Sequence, residues 1–466
     1  MTTIPLTPLD WPISPVVPLL ATATEAAEAE ADSSLVLAGV LLSLVAIYFA
    51  SKLFGELCAR INLPPVLGDL IGGVVIGVSV LNILVFPEGG VTADSSAVMN
   101  FLQSTADLTA GSLEATFAAQ SEAISVLSEL GVIILLFEIG LESELEELIK
   151  YGPQAAIVAV VGVVLPFALG TVGLMSLFSV EAIPAIFAGA ALTATSIGIT
   201  AKVLAEIGKL SSKEGQIIIG AAVLDDVLGI IVLAVVASLV KTGEIEVTNI
   251  LYLTVSAAIF LVGTIFLGRL LNPYFVSLVK SLKTRGPLII SALIVTFILS
   301  YIASAIQLEG ILGAFAAGLI LGESELQRDL EEQVVPIADM LVPVFFVVVG
   351  ARTDVSVLNP FEPANQEGLI IAAFLIAVAI IGKVATSLTV FQSGINRLAV
   401  GVGMIPRGEV GLVFAGVGAA SGVLSESLDA AIIAMVIVTT FIAPPWLRNV
   451  LEKGEAAEAT EKEEAA

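Results

Sequence analysis

Long apolar runs, parted by short polar breaks, dominate the chain from Ser34 to about Arg448. Each is close to the ~20 residues that carry a helix across a bilayer. The pattern predicts about thirteen spans, at 34–54, 63–85, 124–141, 154–179, 183–207, 214–240, 248–270, 286–306, 308–322, 334–350, 367–391, 396–421 and 428–448. The ninth and tenth are short, and a polar stretch at 87–120 separates the second from the third. Residues 1–33 place no Lys or Arg ahead of their weak apolar patch, which argues against a cleavable signal peptide.

Composition turns this pattern into a fold class. The 466 residues are 57% hydrophobic and 14% charged with a mean hydropathy of +1.04, against about 45–50% and about 25% for a soluble domain. The expectation is an all-α polytopic membrane protein in contact with lipid. The formal net charge is −25. Many of the acids sit in two tails, 1–33 and 451–466, which read as solvated and disordered. The negative balance and the lack of basic clusters argue against nucleic acid. With no histidine, imidazole-bound metal and His-based catalysis are excluded, and Cys58 alone can form neither an internal disulfide nor a cysteine metal cluster. Proton chemistry falls to carboxylates or lysine.

The basic residues orient the chain. With the N-terminus outside, Lys241 and Arg352 fall on the outer side, Lys383 and Arg407 lie within spans, and all the other Lys and Arg fall on the inner side. The C-terminus is then cytoplasmic.

An internal repeat is also legible. Leu67, Gly68, Gly73 and Gly77 in PPVLGDLIGGVVIG recur as Leu312, Gly313, Gly318 and Gly322 in EGILGAFAAGLILG, at an offset of 245. Gly140, Ser143 and Glu144 match Gly350, Thr353 and Asp354 at an offset of 210, and the difference fits the 87–120 insertion. Paired spans are an odd number apart, so the copies face opposite ways, the inverted repeat typical of secondary transporters.

Six ionisable residues fall well inside spans: Glu138, Asp225, Asp226, Lys383, Arg407 and Glu409. Isolated charges at a helix centre cost ~2.5–3.5 kcal/mol each, or roughly 15–20 kcal/mol together, against a net stability of ~5–15 kcal/mol. They must be paired, hydrated or neutralised. Purely structural pairing is the competing explanation, but buried pairs seldom stabilise relative to apolar replacements. Asp225 and Asp226 in LDDVLGI diverge by ~100° on a helix, so two roles are expected. One can be held by a cation such as Lys383, while the other alternates between a proton and a hard monovalent ion such as Na⁺, which prefers oxygen ligands. Thr193, Thr195, Ser196 and Thr200 surround Gly198 in TATSIGIT and could supply hydroxyls and unwound carbonyls. At an offset of 211, Thr195 and Ser196 match Pro406 and Arg407, so both repeat spans are interrupted. Arg407 either holds a carboxylate elsewhere or braces the break. Glu409 suits a structural or a proton role, and Glu138 either lines the ion path or pairs with Arg407.

PPVLGDLIGGVVIG, LLFEIGLE, TATSIGIT, LDDVLGI, a lysine in the eleventh span and PRGEVGLV, in that order, resemble the monovalent cation:proton antiporter superfamily, and within it the second, NapA-like subgroup of bacterial sodium/proton antiporters. The resemblance covers nearly the whole chain from Ser34 to about Arg448. It implies a homodimer with two inverted repeats and crossed, discontinuous helices 5 and 12. Scaffold helices would occupy 34–145 and 286–350, core helices 150–240 and 367–450, and a linker helix 248–270. It further implies that Asp226 binds the ion and Asp225 pairs with Lys383, with Thr195 beside the ion; an Asp-Asp pair with lysine is similar to the electrogenic branch. Glu138 fits better with relatives that carry a carboxylate in the third span. No cofactor is implied, only transported Na⁺, with Li⁺ or K⁺ as alternatives, and H⁺. The membrane would be a bacterial inner membrane or another energised membrane such as the thylakoid. Two competing readings are a K⁺/H⁺ antiporter or K⁺ efflux protein on the same fold, and a membrane sensor that transports nothing.

Overall fold

The computed structural model describes residues 33–87, 91–106, 109–242, 247–361, 365–392, 394–408, 411, 418 and 422–465. Among them the chain is all-α. Its first half contains α1 (Ser33–Arg60), α2 (Pro65–Ile76), α3 (Ala97–Thr105), α4 (Ala110–Glu142), α5 (Leu145–Leu177), α6 (Ala182–Ala191), α7 (Ile197–Glu206) and α8 (Lys213–Thr242). After α9 (Val247–Ser281) come α10 (Pro287–Ala305), α11 (Gly310–Gly322), α12 (Gln327–Ala351), α13 (Asn365–Val384), α14 (Arg397–Gly403) and α15 (Glu426–Ala465). Nine of the described helices are long and apolar enough to cross a membrane: α1, α4, α5, α8, α9, α10, α12, α13 and α15. The short apolar helices α2 and α11, the interrupted pair α6 and α7, and α14 fall in the other expected spans, the last of which lies largely outside the described residues after Gly408.

The inverted repeat is visible in the packing. A Cβ built on Gly73 of α2 would lie 2.2 Å from the Val347 carbonyl oxygen and 2.8 Å from Gly350 Cα of α12. A Cβ on Gly318 of α11 would lie 2.3 Å from the Phe137 carbonyl oxygen and 2.7 Å from Gly140 Cα of α4. These are the glycines the offsets of 245 and 210 pair, so the α2–α12 crossing is the repeat mate of the α11–α4 crossing. Only glycine permits such backbone contact, the usual way small residues join helices in lipid. The turns preceding the two short helices match as well, since Asn62 and Gln307 both adopt left-handed backbone, at φ 61° and 65°.

Helices α1, α2, α4 and α10 to α12 pack as one group, and α5 to α8 with α13 to α15 as another; α9 touches α8 and α11. Much of the second group's core comes from Phe187, Ala188, Leu192, Leu375, Ile432 and Met435. On α1 and α9 rows of large apolar side chains such as Leu41, Phe49, Ile259 and Phe266 remain exposed, as lipid-facing helices require.

Two stretches differ from expectation. The 87–120 insertion is not a plain polar loop: α4 begins at Ala110, before the expected 124, capped by Thr109, whose side chain accepts from Ser112 N. Val98, Met99 and Leu102 of α3 pack with Leu113 and Phe117, which anchors the insertion by burial. The acidic C-terminal stretch, read as disordered, continues α15 to Ala465. Its Ala, Glu and Lys residues are strong helix formers even without a face to bury.

Candidate functional site

Two broken helices cross at the centre of the second group. The helical path of α6 stops at Ala191, residues 192–196 are unwound, and α7 resumes at Ile197. Opposite, α14 ends at Gly403, and residues 405–408 are not helical. The two breaks satisfy each other. Ser196 N donates to the Pro406 carbonyl at 2.8 Å, Thr195 Oγ1 to the Met404 carbonyl at 3.1 Å and Thr200 Oγ1 to the Gly403 carbonyl at 2.9 Å. Carbonyls orphaned by unwinding thus find partners away from lipid, the condition for irregular backbone at membrane depth. Thr193 instead bonds back within its own chain, Oγ1 to the Ala190 carbonyl at 2.7 Å.

Arg407 is fully buried and braces this crossing. Its Nη1 donates to the carbonyl of Ala194, and its own carbonyl accepts from Thr440 Oγ1. Its Nε and Nη2 have no hydrogen-bond partner among the described residues. Of the two roles open to Arg407, the backbone contact is the one observed. Glu409, two residues on, lies outside the described residues.

Helix α8 brings the adjacent aspartates to this point. Asp225 is fully buried, and both of its oxygens accept from Lys383 Nζ at 3.2 Å; Lys383 itself, from the last turn of α13, is also fully buried. These residues are far apart in sequence, and the pair links α8 to α13, both of which pack on α5. There Gly162 leaves room for the ammonium, since a Cβ on it would sit 3.3 Å from Nζ. Sequence reading did not single out Gly162. Asp226 diverges from Asp225, as helical geometry requires. It lines a small cavity of about 10 Å³ together with Ala194, Thr195, Ser196, Ile197, Ile311 and Gly408. That is of the order of the space needed by one water. The Ser196 hydroxyl there is buried without a hydrogen-bond partner among the described residues. The site therefore presents a carboxylate, two hydroxyls and unwound backbone around a volume suited to one small species, next to a carboxylate already paired with an ammonium.

Glu138 is not brought to Arg407. The charged groups that act on it are Lys202 of α7, Glu142 of α4 and Asp339 of α12, and the expected pairing with Arg407 is corrected. Lys202 and Asp339 instead line a second cavity of about 280 Å³ between the groups, with Ser51, Lys52, Asp69, Glu206 and Val342 among its other walls. Asp69 and Glu206 were not singled out from the sequence. Glu206 sits at the end of an expected span, where a charge is unremarkable, but Asp69 lies inside the 63–85 run and the cost of an intramembrane charge could have flagged it.

The high-affinity Na⁺/H⁺ antiporter NhaS3 of Synechocystis sp. is 69% identical over 451 residues, 97% of each chain. The Na⁺/H⁺-K⁺ antiporter GerN of Bacillus cereus is 34% identical over 407 residues, 86% of this chain and 94% of that protein. The solved sodium proton antiporter MjNhaP1 of Methanocaldococcus jannaschii matches the fold with a TM-score of 0.57 at 16% identity, covering 91% of this chain and 97% of that one. Residues 40–453 match the family described as sodium/hydrogen exchanger, transmembrane, and the chain belongs to that family, within the cation:proton antiporter superfamily.

Proposed function

We propose that this protein is an electrogenic, secondary-active Na⁺/H⁺ antiporter working by alternating access. The observation that carries the reading is the fully buried Asp225–Lys383 pair beside Asp226 at two crossed helix breaks. Asp226 takes either Na⁺ or H⁺, with Thr195, Ser196 and unwound carbonyls completing the oxygen shell. A bare carboxylate is too costly to carry through the bilayer, so the core crosses only when Asp226 is occupied. Asp225 keeps Lys383 protonated while Asp226 is empty. Arrival of Na⁺ displaces the proton from Asp226, and a second proton is lost from the Asp225–Lys383 pair as the cation settles beside it. More than one proton then moves per cation, which makes exchange sensitive to membrane potential. Arg407 holds the break open, and Glu409 is assigned to the same element by sequence alone.

In this reading α1 to α4 and α10 to α12 form a static frame, which also mediates a homodimer. Helices α5 to α8 and α13 to α15 form the moving core, and α9 links the two. The basic ends of the helices face the cytoplasm of a bacterial inner membrane or another energised internal membrane. The near-complete match to NhaS3 supports Na⁺ as the substrate.

The test is proton flux in proteoliposomes on addition of Na⁺ and then K⁺, with membrane potential clamped and then free. Na⁺-driven flux that responds to potential and vanishes in Asp226→Asn is expected. Exchange retained by Asp226→Asn would overturn the assignment, and flux with K⁺ alone would change the substrate.

A further inference from the structure

Close to the 280 Å³ cavity, the two helix groups are tied by polar contacts that the ion site does not use. Helix α7 ends on Glu206, whose Oε1 accepts from Val66 N at 3.2 Å. Val66 lies in the first turn of α2, which Pro65 initiates, where backbone N–H groups lack intrahelical partners and the helix dipole favours a negative charge. Just before it the chain turns through Asn62, and Asn62 Oδ1 accepts from Arg448 Nη2 of α15 at 2.7 Å. Arg448 is itself held by Glu452 at 2.8 Å and is close enough to Glu206 to act on it through charge. The α1–α2 turn is therefore gripped from two sides by residues of the other helix group. A further bond, from Ser211 Oγ to the Glu142 carbonyl at 3.2 Å, lies between the α7–α8 connection and the end of α4.

The repeat shows what is special about this grip. The mate of Val66, at the offset of 245, is Ile311, and the mate of Glu206, at the offset of 211, is Val417. The first repeat has a carboxylate where the second has an apolar residue. An inverted repeat with equal contacts at both ends would make its two end conformations equal in energy; this difference removes the equality.

We infer that Glu206, aided by Arg448, is a positioning residue that latches the core onto the α1–α2 turn and favours the conformation in which the cavity at the basic end is open. The latch rests on the alternating-access reading and adds to it the element that weights one conformation. It acts on the position of the core, not on the bound ion.

The experiment uses the full chain in proteoliposomes, with Cys58→Ser as background and Ala338→Cys as a reporter. Ala338 lines the cavity, where the added sulfur of a cysteine would meet a maleimide arriving through that space. Glu206→Ala should lower the open-to-closed ratio about tenfold, the shift that loss of one charged hydrogen bond of ~1.4 kcal/mol produces, and so slow labelling severalfold under conditions where the two conformations are comparably populated. Val66→Pro deletes the donor at a first-turn position that tolerates proline, while also trimming a buried side chain, and should slow labelling similarly. Glu206→Gln retains an acceptor oxygen and should recover much of the rate. Should Glu206→Ala fail to fold, Val66→Pro carries the test. Labelling that responds to Na⁺ yet is unchanged, within about twofold, by Glu206→Ala and Val66→Pro overturns the latch alone. Labelling that ignores Na⁺ in the parent counts against alternating access itself.

Discussion

Placing a methyl group on Gly318 tests whether the two halves are held by backbone contact. The new Cβ would lie 2.3 Å from the Phe137 carbonyl oxygen and 2.7 Å from Gly140 Cα, whereas ordinary contact begins at 3.4 Å. The shortfall is about 1 Å, and both obstacles are backbone, so no rotamer change relieves it. Forcing atoms into a packed contact costs about 1–3 kcal/mol. Parting the helices by ~0.5–1 Å also forfeits a quarter to a half of each neighbouring dispersion contact. Together these make about 2–4 kcal/mol. Gly→Ala in a helix returns ~0.5–1 kcal/mol through propensity, so the comparison needs a control with the same gain. Gly152 in α5 is one, since a Cβ there meets nothing within 4 Å. With an unfolding entropy of ~2.1 cal/mol/K per residue over 466 residues, Gly318→Ala should unfold about 2–4 °C below Gly152→Ala in a detergent melt. Gly73→Ala, 2.2 Å from the Val347 carbonyl oxygen, should match Gly318→Ala. Equal midpoints for Gly318→Ala and Gly152→Ala would refute the reasoning.

Four further outcomes are expected. Lys383→Met leaves Asp225 buried without its ammonium and should destabilise the protein by about 3–5 kcal/mol, while Lys383→Met with Asp225→Asn should cost clearly less than the two single losses added; additive losses in thermal unfolding would contradict the pairing. Arg407→Lys removes the planar fork that reaches the Ala194 carbonyl and should lower stability by about 1.5–3 kcal/mol, with a lower rate of Na⁺-driven proton flux. A Lys variant as stable and as fast as the parent would show that the brace is dispensable. Thr200→Val should cost about 1 kcal/mol by removing the bond to the Gly403 carbonyl. The mild change Ser211→Ala, at an exposed contact, should leave the melting midpoint nearly unmoved.

Much of this was legible because membranes penalise charge and unsatisfied backbone so heavily. Asp225 and Lys383 stood out as ions inside apolar runs, and the structure pairs them. The Thr-rich stretch around Gly198 and the Pro406–Arg407 pair marked two breaks, and the structure crosses them. The glycine spacing marked the repeat, and the structure places those glycines at backbone contacts between the two halves, where every larger side chain is excluded. Hydropathy was blind where the competing force was not burial in lipid. It could not see that α4 starts at Ala110, a start set by a Thr109 cap and the α3 cluster, or that Ala and Glu would extend α15 through the acidic tail. Partner choice for Glu138 was also hidden, because helical spacing reports a face and not the element that faces it. Gly162 gave no signal, its use being to admit a lysine supplied by a distant helix.

The glycine crossings also bear on how the protein is made. Each repeat's short helix rests on a long helix of the other repeat: α2 on α12, and α11 on α4. The halves are interlocked, not merely apposed. During synthesis α2 and α4 enter the bilayer with their glycine faces against lipid, and those faces are covered only after α11 and α12 emerge. The first half must therefore wait in an incompletely packed state for the second. Severed in the α9–α10 connection, the two pieces would be expected to assemble when produced together and to leave bare helix faces when produced alone.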